Sequence, residues 1–223
     1  MFKYFLQAAA PARCRRELRG QETMGRRTDH SRTDLREMIL SAAEKIIDEL
    51  GGSDLTARRI ADRIGYSPGT LYNVFADLDD LIVHVNARTL DALHKACLRI
   101  APRATPEETL RAYAKTYVRF TEKRQRRWAM LLGDRSPHLP GLPDWYQQKV
   151  NRLLALVEDG LSPLFDDAEK PLRQRAARVL WASIHGISSL AHTAAVAGKL
   201  SDLTDDLIAT YVQGLRNRRR ARR

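Results

Sequence analysis

The sequence predicts an all-α protein of about nine helices, in which a three-helix unit precedes a larger helical domain. Apolar residues recur at helical spacing along nearly the whole chain, and no strand-like alternation of useful length interrupts them. Helix start and stop signals divide this pattern into separate segments. With 223 residues, the chain is long enough for one substantial core and a small second module.

The first predicted helices are compact and close together in the chain. Three of them cover Asp34–Leu50, Thr56–Ile64 and Ser67–Phe75. Gly51 is a natural stop for the first helix, and Asp77 is a candidate N-cap for a long fourth helix that ends near Ile100. We therefore place a first domain at residues 34–78.

The later helices are longer and form the second predicted domain, residues 79–216. Thr105 and the Pro-Glu-Glu that follows it are a typical start signal. The predicted helices cover Pro106–Lys123, Arg126–Leu132, Asp144–Glu158, Pro171–Ala197 and Thr204–Arg216. A basic tail, residues 217–223, completes the chain.

The positive charge of the chain is concentrated at its two ends. The formal net charge is +11, of which residues 1–33 carry +5 and Arg216–Arg223 carry +6. Basic ends suit binding to nucleic acid, although short arginine-rich ends also occur simply as solubilising segments. Residues 1–33 are predicted to be a disordered extension. Because Met24 begins a normal-looking protein start, residues 1–23 are either an over-long gene prediction or a disordered arm.

Composition argues against several classes of protein. No stretch approaches the roughly 20 uninterrupted apolar residues of a membrane helix. The two cysteines, Cys14 and Cys97, are far apart and fit a reducing cytoplasm. We predict a cytoplasmic protein with no membrane association.

The segment "TARRIADRIGYSPGTLYNVF", residues 56–75, has the features of a helix-turn-helix. Ala61 is small enough for a second helix to cross closely, and Gly65 suits a turn at positive φ. Leu71 is placed to anchor the second helix against the first. An ordinary helical hairpin is the alternative interpretation.

The start of the second helix carries the functional signal. Ser67 is predicted to cap it, and Pro68 suits the first helical position. Gly69 has no side chain to hold the backbone away from a partner, whereas a simple hairpin would explain it by tight packing. A helix N-terminus can bind phosphate or enter a groove of DNA end-on. The other candidate side chains near this end are then free to reach DNA. These candidates are Thr70, Tyr72 and Asn73.

Residues 34–85 resemble the DNA-binding domain of the TetR family of bacterial transcriptional regulators. The resemblance lies in "ILSAAEKIIDELG", in "LTARRIADRIGYSPGTLYNVFADLDDLI" and in the long helix after them. It implies that Thr56 is a phosphate-contacting cap, that Arg58 reaches a base or the backbone, and that Tyr72 binds phosphate. Leu78 stands where the family usually has a lysine, and residues 34–78 carry a net charge of −3. Arg26, Arg27 and Arg32 are expected to supply the missing attraction as an arm along the DNA.

In the TetR family, the second domain binds a small molecule and pairs two chains. The motif "WASIHG" resembles a Trp-x-x-x-His-Gly signature of one subgroup. Trp181, His185 and His192 form a stripe that is predicted to face inward and line a ligand site. A neighbouring seam and the last helix are predicted to form the dimer interface, through Ile184, Ile187, Leu207 and Tyr211.

The histidines do not suggest a metal centre or catalysis. His185 and His192 are seven residues apart, about 10.5 Å along a helix, so one ion cannot take both. His94 and Cys97 could share an ion, but two ligands are too few. No nucleophile motif is present. We predict no metal, no cofactor and no enzymatic activity.

The favoured function is therefore a homodimeric repressor that a small-molecule ligand releases from a palindromic operator in double-stranded DNA. An activator is the alternative within the same class. A helical enzyme or ligand-carrier protein with a vestigial DNA-binding module is the alternative from another class.

Overall fold

A computed structural model describes residues 30–101, 103–132, 142–191 and 199–221. In these residues, eight α-helices and four short 3-10 helices are present, and no strand occurs. The prediction of an all-α fold of about nine helices is confirmed, with the longest 3-10 helix counted as the ninth. Within the same residues, no helix is long and apolar enough to span a membrane.

Local capping signals set the ends of the first two helices. Helix α1, Arg32–Leu50, begins two residues before the predicted start because the Ser31 hydroxyl accepts a hydrogen bond from the Asp34 N–H. It ends at Gly51, which has φ of 96° and donates its N–H to the Ile47 carbonyl. Helix α2, Ala57–Ile64, begins after Thr56, whose hydroxyl accepts from the Arg59 N–H at 3.2 Å.

The turn after α2 confirms the predicted crossing. Gly65 is left-handed, with φ of 74°, and donates its N–H to the Ala61 carbonyl. Ala61 is fully buried, which lets the following segment cross α2 closely. Leu71 and Phe75 are buried in the same small core, together with apolar residues of α1.

The segment after this turn corrects the predicted third helix. Residues Ser67–Phe75 were expected to form an α-helix, but Pro68–Asn73 forms six residues of 3-10 helix, which we call the Pro68 segment. The Thr70 N–H donates to the Ser67 carbonyl, and the Val74 N–H donates to the Leu71 carbonyl, as this tighter helix requires.

Helix α3, Leu78–Leu98, links the two parts of the molecule. The Asp77 carboxylate caps it by accepting from the Asp80 N–H at 2.7 Å, as predicted. Its first turns contribute Leu81 and Ile82 to the N-terminal core, whereas Leu93 and Cys97 belong to the second core. The boundary predicted after residue 78 therefore falls at the start of a helix that both cores share.

The remaining helices enclose the second core. They are α4 (Pro106–Lys123), α5 (Gln125–Leu132), α6 (Asp144–Leu161), α7 (Lys170–Ala191) and α8 (Leu200–Arg220). A complete capping box between Thr105 and Glu108 opens α4, as predicted. The predicted continuation of α7 to Ala197 lies outside the described residues.

Helix α8 differs from its predicted bounds at both ends. It begins four residues before Thr204, and it continues through Asn217–Arg220, which were assigned to a separate tail. Arg219 holds this extension by donating to the Pro163 carbonyl at 3.0 Å and to the Asp166 carboxylate at 2.7 Å.

Candidate DNA-binding surface and ligand cavity

Gly69 has no structural reason to be glycine inside its own protomer. A Cβ atom added at this position would meet no atom within 4 Å, and its φ is not positive. The alternative in which Gly69 allows tight packing in a hairpin is therefore wrong. The open surface at this position is what an outside partner would need for a close approach to the backbone.

The predicted DNA contacts lie on the solvent side of the N-terminal unit. Leu71 points back into the core, while its neighbours Tyr72 and Asn73 are exposed. Thr70 is half-buried, and the other predicted contacts are exposed, namely Thr56, Arg58, Ser67, Pro68 and Gly69. The 3-10 geometry of the Pro68 segment is thus compatible with an outward set of polar side chains around one apolar anchor.

Ser67 does not cap the Pro68 segment as predicted. Its hydroxyl makes no capping hydrogen bond to a backbone N–H. The hydroxyl instead lies 3.1 Å from that of Thr70, and the two share a hydrogen bond. The segment is closed through the Ser67 carbonyl, which leaves both hydroxyl groups on the exposed side with unused hydrogen-bonding capacity.

The arginines of α2 differ in how strongly they are held. Arg59 lies 2.9 Å from the Asp54 carboxylate, and Arg63 donates to Glu49 at 3.0 Å. The partner of Arg58 is Asp62, but the charged atoms are 4.0 Å apart and the Arg58 side chain is 86% exposed. Among the three, Arg58 is therefore the most available to a phosphate or a base.

Leu78, the departure from the usual family pattern, has a structural role. Its side chain is partly buried and packs against the N-terminal core. The neighbouring Asp80 carboxylate accepts the Ala76 N–H at 3.0 Å, which fixes the chain between the Pro68 segment and α3. This position is used for packing rather than for phosphate contact.

His30 is a contact that the sequence analysis missed. Its Nδ1 atom lies 2.8 Å from the Tyr66 hydroxyl, in the turn just before Ser67. The chain therefore enters α1 beside the start of the Pro68 segment. Arg26 and Arg27, the other two arginines of the predicted arm apart from Arg32, lie outside the described residues.

Helix α5 joins the N-terminal unit to the second domain. Arg126 donates to the Asp48 carbonyl at 2.8 Å and to the Glu49 carbonyl, which satisfies free groups at the end of α1. Arg127 donates to the Asp48 carboxylate at 2.6 Å and lies 3.2 Å from Glu44.

The other side chains of α5 reach both cores. Met130 is buried in the N-terminal core, against Gly52. Trp128 is buried in the second core, with its ring 5.2 Å from that of Tyr117. One short helix thus packs into the cores of both halves of the protomer.

A second connection runs through aromatic rings. His84 of α3 stacks on Trp145 of α6, with ring centres 4.7 Å apart, and meets the edge of Phe75 at 5.6 Å. Burial, assisted by the nearby Arg36, lowers the pKa of His84 although Asp80 opposes this. The neutral ring links the start of α6 to Phe75, two residues after the Pro68 segment.

An apolar cavity lies inside the second domain. It measures about 40 Å³, which is room for only a few water molecules. Its walls come from α3, α4, α6 and α7, and in the described residues they include no charged side chain. The lining residues are Leu93, Cys97, Leu110, Tyr113, Ala114, Tyr117, Leu153, Leu156, Val157, Leu180, Trp181 and Ile184.

The predicted ligand stripe is only partly placed on this cavity. Trp181 lines it, and His185 lies behind Trp181 with the two rings stacked 5.5 Å apart. His185 Nδ1 and the Tyr117 hydroxyl are 2.6 Å apart and share a hydrogen bond. Burial lowers the pKa of His185 and raises the pKa of Tyr117, so both groups are neutral at pH 7. His192 lies outside the described residues.

Ile184 corrects the predicted dimer seam. Its side chain is buried in the core of its own protomer and lines the cavity, so it cannot face the partner chain as expected. Ile187 and Leu207 are partly buried. Tyr211 is also partly buried, and its hydroxyl donates to the Ala176 carbonyl of the same protomer at 2.9 Å.

The outward face of α7 lies on the opposite side of the helix from Ile184. Val179 and Leu190 are each 48% exposed there, which is unusual for large apolar side chains. Between them, Gly186 has open space where a Cβ would be, and Gly214 of α8 is similarly open. This face offers apolar groups and close backbone access, and the sequence analysis did not identify Val179 or Leu190.

The described residues contain no group of three or more metal-ligating side chains. Burial raises the pKa of the Cys97 thiol to about 11, so this cavity residue is a neutral thiol at pH 7. Its chemistry in this position is that of a small apolar side chain.

Comparison with known protein families agrees with both halves of the molecule. Residues 39–85 match the family profile described as bacterial regulatory proteins, tetR family. Residues 110–215 match the profile described as tetracyclin repressor-like, C-terminal domain. Together the two matches cover well over half of the chain. The chain belongs to the TetR family of transcriptional regulators. The assignment to the Trp-x-x-x-His-Gly subgroup stays a prediction.

Relatives by sequence share the DNA-binding part of this TetR-family protein. One HTH-type transcriptional regulator of Staphylococcus aureus (strain USA300) is 41% identical over 56 residues, which is 25% of this chain and 30% of that protein. The chain therefore matches less than a third of the length of that relative.

Solved structures share the fold over most of the chain. A TetR transcriptional regulator from Rhodococcus sp. RHA1 is 19% identical with a TM-score of 0.63, and the match covers 83% of this chain and 97% of that one. RolR, solved in complex with resorcinol, is 15% identical with a TM-score of 0.60, and the match covers 82% of this chain and 87% of that one. These identities support the architecture of the TetR-family fold alone.

Proposed function

We propose that this TetR-family protein is a homodimeric repressor that leaves a palindromic operator when a small molecule enters the cavity of the second domain. The observation that carries the proposal is the shared helix α3. Its Leu93 and Cys97 form part of the cavity wall, and its Leu81 and Ile82 form part of the core under the Pro68 segment. A shift of the wall is therefore transmitted to the DNA-binding unit.

The size of the cavity explains why a ligand would cause such a shift. About 40 Å³ is far less than the 300–1,000 Å³ of sites that hold drug-sized ligands. Because protein cores are close-packed, a ligand enters only if the surrounding helices move apart. Binding would favour the conformation with the wider cavity and so change the orientation of the N-terminal unit.

The DNA contacts are proposed from the exposed surface around Gly69. The Pro68 segment would enter the major groove, with Thr70, Tyr72 and Asn73 near bases and phosphates. Thr56 and the weakly held Arg58 would contact the backbone from α2. The basic residues that precede His30 in sequence would add sequence-independent attraction to phosphate.

Pairing of two chains is proposed through the outward faces of α7 and α8. Val179, Gly186 and Gly214 lie on these faces with open space around them. Self-complementary contact about a two-fold axis would present two Pro68 segments to successive major grooves. Ile187, Leu207 and Tyr211 would lie at the edge of this interface.

The ligand is proposed to be a small, largely apolar and aromatic molecule with one polar end. Trp181, Tyr113 and Tyr117 give the cavity an aromatic wall, with His185 behind it. The structural neighbour RolR was solved with resorcinol, a small aromatic compound. Regulation of this kind acts on DNA in the cytoplasm and involves no catalysis.

The proposal is tested by selecting the genomic fragments that the full-length protein retains and then measuring binding to the selected site. We expect a palindrome whose two halves are one helical turn apart, bound by one dimer. A compound library is then screened for release of that DNA. Retention without any sequence preference would contradict an operator-specific repressor, and binding of ligands with no effect on DNA affinity would favour a carrier protein.

A further inference from the structure

A second, wider cavity lies next to the apolar one, at the end of the second domain where α3 ends and α4 begins. It measures about 280 Å³, and its walls come from the end of α3, the start of α4 and the end of α6. Exposed residues form part of these walls, among them Arg103, Thr105 and Asp159, so the cavity opens to solvent. We call it the outer cavity, and we call the apolar cavity of about 40 Å³ the inner cavity.

The two cavities lie end to end along the same three helices. Where α3 ends, Cys97 lines the inner cavity, and Ile100, about one turn later, lines the outer cavity. On α6, Val157 and Gly160 have the same relation. Helix α4 starts at this end of the domain, and its first turn belongs to the outer cavity. The inner cavity is therefore separated from a solvent-open space by about one helical turn of side chains.

Tyr113 of α4 is the one residue in the described part of the chain that lines both cavities. Its side chain is partly buried. Burial raises the pKa of its hydroxyl, and both Cys97 on the inner side and Asp159 on the outer side add to this effect. The hydroxyl is therefore within electrostatic reach of both cavities, as expected for a side chain that stands between them.

The side chains that separate the cavities are held to different degrees. Leu110 is buried, and its Cδ2 atom lies 3.1 Å from the position that a Cβ atom of Gly160 would take, so it has little room to move. The Tyr117 hydroxyl shares a hydrogen bond with His185. Among the described residues, no such bond holds the hydroxyl of Tyr113. A change of its χ1 angle to another staggered position would swing the ring aside without moving the backbone.

We infer that the Tyr113 ring is the movable partition past which a ligand enters the inner cavity from the outer cavity. The inference rests on the proposed ligand cavity and specifies how that cavity is reached. The rate of entry then depends on the Tyr113 side chain, whereas affinity depends on the widening of the inner cavity. A passage closed by one aromatic ring admits flat, largely apolar molecules more readily than bulky ones.

Cys97 allows entry into the inner cavity to be measured without knowledge of the natural ligand. The chain has two cysteines, so the full-length protein with Cys14→Ser carries this thiol alone. Its thiolate attacks the thiol-derived sulfur of an alkyl methanethiosulfonate, which forms a mixed disulfide and releases methanesulfinate. Labelling is carried out at mildly alkaline pH, where a fraction of the thiol is ionised, and is followed by mass spectrometry.

Two reagents of different size separate access from thiol reactivity. Benzyl methanethiosulfonate carries an aromatic ring that has to pass Tyr113 on its way to Cys97. Methyl methanethiosulfonate is much smaller, and its rate corrects for changes in the reactivity of the thiol. The measured quantity is the ratio of the benzyl labelling rate to the methyl labelling rate, which we call the entry ratio.

Tyr113→Ala should raise the entry ratio about tenfold or more, because removal of the ring lowers the barrier to passage. Tyr113→Phe keeps the ring and should leave the ratio unchanged. Thr109→Trp fills part of the outer cavity and should lower the ratio about tenfold. Thr116→Trp is its matched control, since Thr116 lies on the same helix and lines neither cavity, and its ratio should equal that of the parent.

The outcomes separate the entry route from the proposed cavity. Labelling of Cys97 by both reagents with the same entry ratio in the parent, Tyr113→Ala and Thr109→Trp would overturn the Tyr113 route and leave the cavity intact, with entry elsewhere, such as beside Trp181. Equal falls in Thr109→Trp and Thr116→Trp would also overturn the route. If Tyr113→Ala does not unfold cooperatively in urea, the two tryptophan variants decide. Labelling by both reagents only as fast as the whole protein unfolds would overturn both the route and the proposed cavity.

Discussion

At the scale of single residues, the most informative positions are those where the local environment and the residue type disagree. Gly69 is a glycine with open space around it and an ordinary φ, so its own fold does not require it. His185 is an ionisable ring held in a buried aromatic cluster. In each case, a partner molecule or a different protonation state explains the residue type better than the packing of the isolated protomer does.

Gly69→Glu should abolish specific operator binding while leaving helicity and self-association unchanged, because the added side chain and negative charge project from the proposed DNA surface. Gly69→Ala is the matched control, since a Cβ meets no atom there, and its stability should be unchanged or higher by up to about 1 kcal/mol. Gel-shift and thermal unfolding measurements check both. Normal operator binding by the Glu variant would show that the Pro68 segment does not face DNA.

His185 should make the protein less stable in mild acid. Burial lowers its pKa in the folded state, so the unfolded chain binds more protons once the pH falls below about 6.5. The contribution of the neutral ring is therefore complete above pH 6.5 and is lost as the pH falls toward the lower folded-state pKa.

Denaturant unfolding between pH 7.5 and 5 should show a smaller fall in stability for His185→Asn than for the parent protein. Some fall should persist, because burial also lowers the pKa of His84 and His94. Ser189→Ala, which keeps the ring and removes only a 3.4 Å contact, should retain the full pH dependence. An identical slope in His185→Asn and the parent would contradict this prediction.

At the scale of elements, α5 shows how a short helix can matter more than its length suggests. With eight residues it would be marginal alone, and it is stable here because its side chains pack into two cores. Arg126 and Arg127 hold the end of α1, while Trp128 lies in the aromatic cluster of the second domain. We call these contacts of α5 the α5 clasp, because they join the two halves of the protomer.

Arg127→Gln should lower the free energy of unfolding by roughly 1–2 kcal/mol, because it removes the closest cation from the Glu44 and Asp48 carboxylates and leaves Glu44 only Arg88, at 3.8 Å. Arg63→Gln also removes one positive charge from a pair with the end of α1, but its partner Glu49 is half exposed. We expect that control to lose less stability than Arg127→Gln in urea unfolding, because solvent screens an exposed pair. Equal losses of unfolding free energy in the two variants would show that the α5 contacts stabilise the fold no more than an ordinary exposed ion pair does.

At the scale of the whole molecule, the two ends of the described chain lie at opposite ends of the protomer. The described chain enters α1 at His30, beside the start of the Pro68 segment. The end of α8 lies at the opposite end, since Arg216 is 3.5 Å from Glu107 at the start of α4. The outward face of α7 lies in the second domain, apart from the proposed DNA contacts.

The salt dependence of operator binding should distinguish the two basic ends. A chain that begins at Met24 should bind like the full chain. Replacing Arg26 and Arg27 by Gln in it should reduce the slope of log affinity against log salt by about 0.9 per lost phosphate contact. Arg218→Gln with Arg220→Gln removes the same charge from the end of α8 and should leave the slope unchanged. Equal effects of the two double variants would contradict an N-terminal arm on DNA.

Pairing should depend on the outward face of α7. Val179→Asp should give monomers and reduce operator affinity sharply, because a charge on a two-fold interface meets its own copy and a single half-site binds weakly. Leu98→Asp is the control, since Leu98 is 60% exposed at the far end of α3. Sedimentation analysis checks both variants, and a dimeric Val179→Asp protein would place the interface elsewhere.

Local chemistry in the sequence determined most helix ends and the small N-terminal core. The caps at Asp77 and Thr105 and the turn at Gly65 depend on hydrogen bonds within four residues, so residue type and spacing were sufficient to predict them. The cap at Thr56 was implied by the resemblance to the TetR family. The helical spacing of apolar residues predicted the all-α class and the outward position of the residues around Gly69.

Only the tertiary structure decided which face of each helix meets which neighbour. Helix α7 carries apolar residues on two sides, so periodicity alone could not tell whether Ile184 or Val179 faced the protein interior. Packing against the cavity buries Ile184 and leaves Val179 outside. The α5 clasp and the His84–Trp145 stack likewise depend on residues 61 to 79 positions apart in sequence, and these contacts arise only when the helices assemble.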